Sequence, residues 1–249
     1  MLSISETKIK QHITFKSLAV DLLLISLLLS VTSCSQFKIP INDSIQIIEL
    51  PADLDTYLSN KETSFDDITP GAEKTIIWAD SVRQQEYAIV YLHGFSATRQ
   101  EIAPVPDLIA AELGANIYYA RMTGHGRPSG HLAQASVNDW LNDTVEALKI
   151  GRIIGKKVIL MGTSTGGSLA VWLAGSEYAG DVYAYILLSP NFGPRDHRSE
   201  VLYWPWAQKW FPWVYGPTRR WEPRSEEIAK FWTYEYPVQA MFPMMGTVK

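Results

Sequence analysis

The sequence predicts an α/β fold in which a mostly parallel sheet carries helices on both faces, over residues 73–190. Two observations predict it. From Lys74 onward, short runs rich in β-branched and aromatic residues alternate with longer segments of helical periodicity, the pattern of βαβ units. At 249 residues, the chain is also long enough to bury the sizeable core that such a domain needs.

The first unit of the predicted fold is a strand, a helix and a second strand. Tyr87–Leu92 is an apolar run that predicts a strand buried on both faces. Thr98 is followed three residues later by Glu101, the pattern of a capping box, which predicts a helix that reaches Leu113. Asn116–Ala120 predicts the next strand of the sheet.

The same alternation continues through the second half of the predicted core. Ser136 with Asp139 predicts another capped helix, whose apolar positions recur near the 3.6-residue period until Gly155 ends it. The remaining predicted elements are the strand Lys157–Met161, the helix Gly166–Ala174 and the strand Val182–Leu188. After Pro190 the alternation stops, so residues 191–249 are predicted to be a lid inserted after a core strand.

The N-terminus has the pattern of a bacterial lipoprotein signal peptide. Three lysines precede the apolar stretch Leu18–Val31, which is short for a membrane-spanning helix. Val31–Cys34 resembles a lipobox, in which small residues precede a cysteine that is lipidated. We therefore expect residues 1–33 to be the signal peptide, with Cys34 lipidated at the bacterial cell envelope. Ser35 after the cysteine favours the outer membrane, and an uncleaved anchor helix with an incidental cysteine is the alternative.

Residues 34–72 and 191–249 flank the predicted core and differ from it in composition. The first segment is polar and interrupted by prolines, and is predicted to be a tether that leads into an edge strand. The second is rich in aromatics, with thirteen between Tyr203 and Phe242. These rings are expected to pack the lid onto the core, to line a pocket for an apolar acyl chain, or to sit at a membrane interface.

Ser164 lies in Gly162-Thr163-Ser164-Thr165-Gly166, between a predicted strand and a predicted helix. A serine hydroxyl is a poor nucleophile, so catalysis requires it to be exposed at a sharp turn beside donors for the oxyanion. Gly162 and Gly166 are the small residues that such a turn demands, and this context predicts a nucleophile elbow with Ser164 as the catalytic residue. The alternative is a glycine-rich turn without chemistry.

Three stretches together resemble the α/β-hydrolase superfamily, and specifically its monoacylglycerol lipase and serine aminopeptidase-like branch. They are His93-Gly94-Phe95, Gly124-His125-Gly126 and the serine motif, and the resemblance covers about residues 87–190. It implies an α/β-hydrolase fold, with the backbone amides of Phe95 and Thr165 as the oxyanion hole. It also implies that His93 shapes its loop and transfers no proton.

The resemblance further implies a triad acid and then a histidine on loops after later strands. The five histidines are His12, His93, His125, His131 and His197, and none lies beyond a plausible late strand. We therefore expect the C-terminal strands that carry acid and base to be missing and the lid to be incomplete. A natural short protein with a reorganised site is the rival interpretation. Asp196 and His197 are candidates for the missing groups, but a charged surface cluster is the better interpretation of them.

These observations predict a serine hydrolase that cleaves carboxylic esters with lipid-like or apolar acyl groups. A peptidase or amidase of the same fold is one alternative, and a catalytically inactive, envelope-anchored binding protein is another. The net charge of −4, without a run of Lys or Arg, argues against nucleic acid as a partner. No metal or organic cofactor is implied, and the sequence does not indicate an oligomeric state.

Overall fold

The central sheet of the protein has five strands. The computed structural model describes residues 45–46, 48–194 and 196–248. The strands are β1 (Thr75–Ile77), β2 (Gln85–Leu92), β3 (Asn116–Tyr119), β4 (Gly155–Thr163) and β5 (Ala184–Leu188). Their order is β1-β3-β2-β4-β5, with β1 antiparallel to β3 and every other pair parallel. The predicted mostly parallel sheet is confirmed.

Within the described residues, four helices accompany the sheet and three more lie in residues 196–248, the segment for which the sequence predicts a lid and which we call the lid. The first four are α1 (Leu54–Thr63), α2 (Val105–Leu113), α3 (Val137–Ile154) and α4 (Thr165–Ala174). The lid contains α5 (Ala207–Tyr215), α6 (Glu226–Phe231) and α7 (Met241–Gly246), with a two-stranded antiparallel sheet of β6 (Thr218–Arg220) and β7 (Glu235–Pro237). Short 3₁₀ turns occupy Arg99–Ile102, Ser129–Ala133, Ala179–Asp181, His197–Tyr203 and Val238–Ala240. Within the described ranges, no helix combines the length and hydrophobicity needed to cross a bilayer.

Alternate residues of β2 belong to two different cores, one on each face of the sheet. Ala88, Val90 and Leu92 pack with the apolar residues of α3 and α4. Ile89 and Tyr91 pack on the opposite face, where Ala110 of α2 joins them. Since side chains alternate along a strand, a strand with helices on both faces must be apolar throughout. The predicted placement of helices on both faces is therefore confirmed.

The helix predicted from Thr98 to Leu113 is divided in the structure. Residues Arg99–Ile102 form a 3₁₀ turn, and α2 begins only at Val105, after Pro104. A proline has no amide hydrogen and restricts the residue before it, so the two turns do not join into one helix. The prediction of a single helix was wrong in this respect, although the predicted end at Leu113 is confirmed, with Gly114 in the left-handed conformation.

Helix α1 lies in the segment for which the sequence predicts a tether. Asp53 caps it by accepting a hydrogen bond from the Thr56 amide, and Leu54 and Leu58 are buried in the core. A buried ion pair between Glu62 and Arg121, 2.7 Å apart, also attaches the helix to the loop after β3. This part of the segment therefore belongs to the core rather than to a tether. The predicted signal peptide and Cys34 lie outside the described residues.

Aromatic residues of the lid fall into two groups. Phe211, Tyr236 and Phe242 are buried, and the rings of Phe211 and Phe242 meet edge to face. Trp213, in contrast, is 92% exposed, and Trp206 is also exposed. Packing therefore explains only some of the rings in this aromatic region.

Candidate active site

Ser164 occupies a sharp turn between β4 and α4. Its backbone has φ 50° and ψ −114°, a conformation that costs free energy in a residue with a side chain. Three backbone hydrogen bonds hold it. The Ser164 amide donates to the Leu188 carbonyl at 2.9 Å, and its own carbonyl accepts from the Asn191 amide at 3.0 Å and the Ser168 amide at 3.1 Å. The turn is thus fixed by the ends of two neighbouring strands and by the first turn of α4.

The two glycines of the motif lie where the backbone leaves no room for a side chain. A Cβ atom on Gly162 would lie 2.5 Å from the Gly166 carbonyl oxygen. A Cβ atom on Gly166 would lie 2.1 Å from the carbonyl oxygen of Leu92, at the end of β2. Close contact between these segments brings the serine turn against the loop that follows β2, which we call the His93 loop (residues 93–98).

His93 holds this loop by hydrogen bonds on both sides of its ring. Its Nε2 accepts from the Met122 amide at 3.0 Å, which places the proton on Nδ1. Nδ1 in turn lies 2.9 Å from the Gly94 carbonyl oxygen and donates to it. Burial lowers the pKa of His93 to about 4, so the ring is neutral near pH 7. A neutral ring with both nitrogens engaged is consistent with the loop-shaping role that the resemblance implies.

The Phe95 and Thr165 amides are the donors predicted for the oxyanion. The Gly94 carbonyl accepts from the Ala97 amide at 3.2 Å as well as from His93, and a trans peptide directs the next N–H the opposite way. Thr165 is the first residue of α4, where helix amides lack partners within the helix. No described residue accepts a hydrogen bond from either amide.

Histidines and acids that could complete a triad are engaged elsewhere or exposed. In the part of the chain that the structure describes, no residue is hydrogen-bonded to the Ser164 hydroxyl. His125 is buried against His93 and Phe95 with its Nε2 unpartnered, and His131 lies 3.0 Å from Asp67.

Asp196 and His197 lie on the surface, as their charged neighbourhood suggested. The exposed Asp196 carboxylate pairs with Arg198, which lowers its pKa, and the exposed His197 lies 3.1 Å from Glu200. Neither is hydrogen-bonded to Ser164. The interpretation of this pair as a solvated surface cluster therefore agrees with the structure.

Glu101 lies in the 3₁₀ turn after the His93 loop, and the sequence pattern predicts that it caps a helix. Its Oε1 accepts from the Gly94 amide at 2.6 Å and from the Tyr91 hydroxyl at 2.7 Å, so it does not cap a helix. The Tyr91 hydroxyl also lies 2.9 Å from Thr163 Oγ1, next to the serine. Burial raises the pKa of Glu101 to about 7, against the hydrogen bonds from Tyr91 and Gly94. The predicted capping box at Thr98 was therefore wrong.

The lid contacts the His93 loop directly. The Thr233 amide donates to the Ser96 carbonyl at 2.7 Å, and the Tyr236 ring meets the Phe95 ring edge to face with centroids 5.3 Å apart. Tyr236 is buried, so this contact places an apolar layer over Phe95. The lid and the loop beside Ser164 are consequently coupled.

A mostly parallel sheet with a serine at a strained strand-to-helix turn, opposite a loop with a free amide, defines an α/β-hydrolase. Residues 83–240 match the family described as serine aminopeptidase, S33, and the chain belongs to that family of hydrolases. A search of curated protein sequences finds no significant match.

Solved structures with the same fold include a protein from a study of LipS and LipT, two metagenome-derived lipolytic enzymes. It is 19% identical with a TM-score of 0.59, and the match covers 73% of this chain and 69% of that one. Another is the monoacylglycerol lipase of Paleococcus ferrophilus, 15% identical with a TM-score of 0.50, with 70% of this chain and 69% of that one covered. At these identities the similarity establishes the fold.

Proposed function

We propose that this protein is a serine hydrolase that cleaves carboxylic esters through an acyl-enzyme on Ser164. The observation that carries the proposal is the conformation of Ser164, which is strained and held between β4 and α4. Strain of this kind is a cost to stability that a simple connecting turn does not require. A nucleophilic serine at an elbow does require this strained conformation, because its hydroxyl must be exposed above the backbone.

The oxyanion of the tetrahedral intermediate would be stabilised by the Phe95 and Thr165 amides. Both amides are free of hydrogen bonds to described residues. The positive end of the α4 dipole strengthens the interaction of the Thr165 amide with an anion. Each such donor contributes about 3 kcal/mol of transition-state stabilisation in related chemistry. Ser164 would attack the ester carbonyl, the alcohol would leave, and water would release the acid from the acyl-enzyme.

Apolar surroundings favour a lipid-like or apolar acyl substrate. A cavity of about 290 Å³ is lined by Ser168, one helical turn after Ser164, with Leu141, Trp172 and Phe192, while Ser164 itself is not among its lining residues. Ligand pockets of enzymes are mostly apolar with a few polar groups, and this lining has that character. The Phe95 and Tyr236 contact adds aromatic surface on the lid side.

Cleavage of peptide or amide bonds is the second candidate, because the family is described as serine aminopeptidase, S33. The same nucleophile and donors serve both reactions, since each passes through a tetrahedral oxyanion. The two substrates differ in the leaving group: an amine must be protonated as it departs, whereas an alcohol departs more readily. An acid near Ser164 is therefore more critical for amides than for esters.

The test is labelling of the purified full-length chain with a fluorophosphonate, followed by turnover of p-nitrophenyl esters of increasing chain length and of an aminoacyl p-nitroanilide. We expect labelling that is lost in Ser164→Ala and retained in Ser176→Ala. Ser176 follows α4, and its hydroxyl donates to the Leu173 carbonyl. Preference for the longer esters over the anilide would favour the lipid-like substrate.

A folded protein that neither labels nor turns over any substrate would refute the proposal and support a binding role instead. Labelling without turnover would show a reactive serine that lacks its base.

We also propose that the protein is anchored to the bacterial cell envelope by lipid on Cys34. The support is the lysine-rich start, the apolar stretch and the small residues before the single cysteine. Metabolic labelling with an alkyne fatty acid should mark the wild type and not Cys34→Ala. Equal labelling of the two would contradict lipidation at this residue.

A further inference from the structure

The Glu101 carboxyl group lies at the junction of three segments of the candidate site. It accepts from Gly94 in the His93 loop and from Tyr91 at the end of β2, and Tyr91 contacts Thr163 at the end of β4. The side chain itself comes from the 3₁₀ turn after the loop. One oxygen, Oε1, therefore connects the segment that carries the Phe95 amide, through Tyr91, to the end of the strand that leads to Ser164.

We propose that Glu101 is a positioning residue for hydrolysis at Ser164, acting through Gly94 and Tyr91 and controlled by its own protonation. The inference rests on the proposed function, because it assigns Glu101 to the same reaction.

The two peptide groups that flank Gly94 are held in fixed orientations by Glu101 and His93. The N–H of the peptide before it donates to Glu101, and the C=O of the peptide after it accepts from His93 and Ala97. A planar peptide with its carbonyl held on one side presents its N–H on the other. Glu101 and His93 thus leave the Phe95 amide without a partner in its own loop, as an oxyanion donor must be.

The Glu101 carboxyl group also lies close to the nucleophile. A Cβ atom placed on Gly94 would lie 3.0 Å from Glu101 Oε2 and 3.2 Å from the Cβ of Ser164. The space that a methyl group on Gly94 would fill therefore borders both the acid and the serine. At such a range a negative charge on Glu101 opposes the negative charge that develops on the oxyanion, and the effect is strong at low dielectric.

The groups around Glu101 decide whether its carboxyl group is charged. Tyr91 from β2 and the Gly94 amide donate to it, and Thr163 from β4 contacts Tyr91. Tyr119 of β3 meets the Tyr91 ring edge to face, and the Arg99 guanidinium lies 5.3 Å from the Tyr119 ring centroid. His93, the nearest histidine along the chain, is neutral near pH 7. Among these described groups, none forms a salt bridge with Glu101 that would hold it charged.

Burial raises the pKa of Glu101 to about 7, so both of its protonation states are populated under ordinary conditions. The protonated form keeps a carbonyl oxygen that accepts from Gly94 and Tyr91 but carries no charge beside Ser164. We therefore expect the protonated form to be the more reactive one.

The experiment uses the full-length chain with Glu101→Gln, Glu101→Ala and the control Glu112→Gln, which alters an exposed acid on α2. Two quantities are measured from pH 5.5 to 8.5. One is the rate of Ser164 labelling by a fluorophosphonate, and the other is hydrogen exchange of the backbone amides of residues 93–97. The exchange measurement does not depend on serine reactivity.

We expect Glu101→Ala to accelerate exchange at Gly94 and to slow labelling by about tenfold or more at pH 5.5, because the oxygen that accepts from the Gly94 amide is lost. Glu101→Gln keeps an acceptor, so its exchange should match the wild type. Its labelling rate relative to wild type should be near one at pH 5.5 and rise toward about tenfold at pH 8.5, where the wild type is charged. Glu112→Gln should change neither quantity.

Unchanged exchange at Gly94 in Glu101→Ala would overturn the proposal, as would a ratio of Glu101→Gln to wild type that does not vary with pH in a protein that labels. If Glu101→Ala does not fold, the pH dependence of Glu101→Gln decides alone. If even the wild type does not label, the proposed function fails, and exchange in the two Glu101 variants still decides whether the acid holds the loop.

Discussion

The segments that begin at Thr98 and at Ser136 share a pattern, a hydroxyl residue followed three positions later by an acid, but they use the acid differently. At Ser136 the capping box is complete. The Ser136 side chain accepts from the Asp139 amide, and the Asp139 carboxylate accepts from the Ser136 amide at 2.8 Å. At Thr98 the hydroxyl accepts only from Gln100, at 3.4 Å, and the Glu101 carboxylate turns back to Gly94 and Tyr91.

The length of the helix that follows the hydroxyl residue decides where the acid is used. Behind Ser136 is an 18-residue helix whose first amides need acceptors. Behind Thr98 is a four-residue 3₁₀ turn that stops before Pro104, with little to cap. The acid is then available to the neighbouring loop. A capping pattern followed by an early proline is thus a signal that the acid serves something other than the helix.

The largest expected consequence is a pH-dependent stability that belongs to Glu101. Its folded pKa of about 7 lies above the usual value of 4.5, so the folded state holds the proton more tightly than the unfolded state. The resulting stabilisation is complete below pH 4.5 and is lost as the pH rises to about 7. The full effect is about 3 kcal/mol. Denaturation of wild type and Glu101→Gln at pH 4.5 and pH 8 should show it.

The side chain introduced by Glu101→Gln cannot ionise. The free energy of unfolding of this variant should therefore rise by about 3 kcal/mol relative to that of the wild type between pH 4.5 and pH 8. Because both proteins share every other titrating group, only the difference between them is interpreted. A difference that is constant from pH 4.5 to 8 would contradict the raised pKa of Glu101.

Tyr91→Phe should shift the pH range over which Glu101 affects stability. The Tyr91 hydroxyl donates to Glu101 and lowers its pKa, so its loss should raise that pKa by about one unit above 7. The midpoint of the Glu101-dependent stability change would move to higher pH, measured by the same denaturation series in Tyr91→Phe with and without Glu101→Gln. Tyr119→Phe is the matched control, since the Tyr119 hydroxyl interacts with Asp107 instead. Equal midpoints in the two tyrosine variants would contradict the hydrogen-bond explanation.

The core was predictable from the sequence because its signals are local. The strand β2, the capped helix α3 and the Gly-x-Ser-x-Gly turn each have a sequence pattern confined to a few neighbouring positions, and the structure has all of them. The fold class follows from their alternation. The family match over residues 83–240 agrees with that prediction.

What could not be predicted depends on partners far apart in the chain. Lys74 and Glu146 look like surface charges in the sequence, but they form a buried pair at 2.7 Å between segments 72 residues apart. Helix α1 buries only Leu54, Leu58 and Glu62, too weak a pattern to distinguish it from a polar tether. In the lid, composition alone does not tell that Tyr236 is buried while Trp213 is exposed. The roles of Ser164, Phe95 and Thr165 stay predictions until they are tested.

Ser136→Ala should destabilise the protein by about 1 kcal/mol, the usual cost of a lost N-cap. The variant removes the acceptor for the Asp139 amide, and also the hydroxyl that donates to the Asp139 carboxylate at 2.8 Å. Urea denaturation at pH 7 measures the loss. A change of less than about 0.3 kcal/mol would show that the long helix does not depend on its cap.

Thr98→Ala should have the smallest effect, within about 0.5 kcal/mol, because its single contact with the Gln100 amide is 3.4 Å long and the turn behind it is short. Thr98 is buried, so loss of its methyl group could mask a weak cap. Thr98→Val keeps the methyl group and replaces the hydroxyl with a second methyl group of similar size, and urea denaturation of the two variants separates the contributions. If Thr98→Val costs as much as Ser136→Ala, the hydroxyl is a full cap despite its geometry, and the contrast between the two segments would then lie in the acids alone.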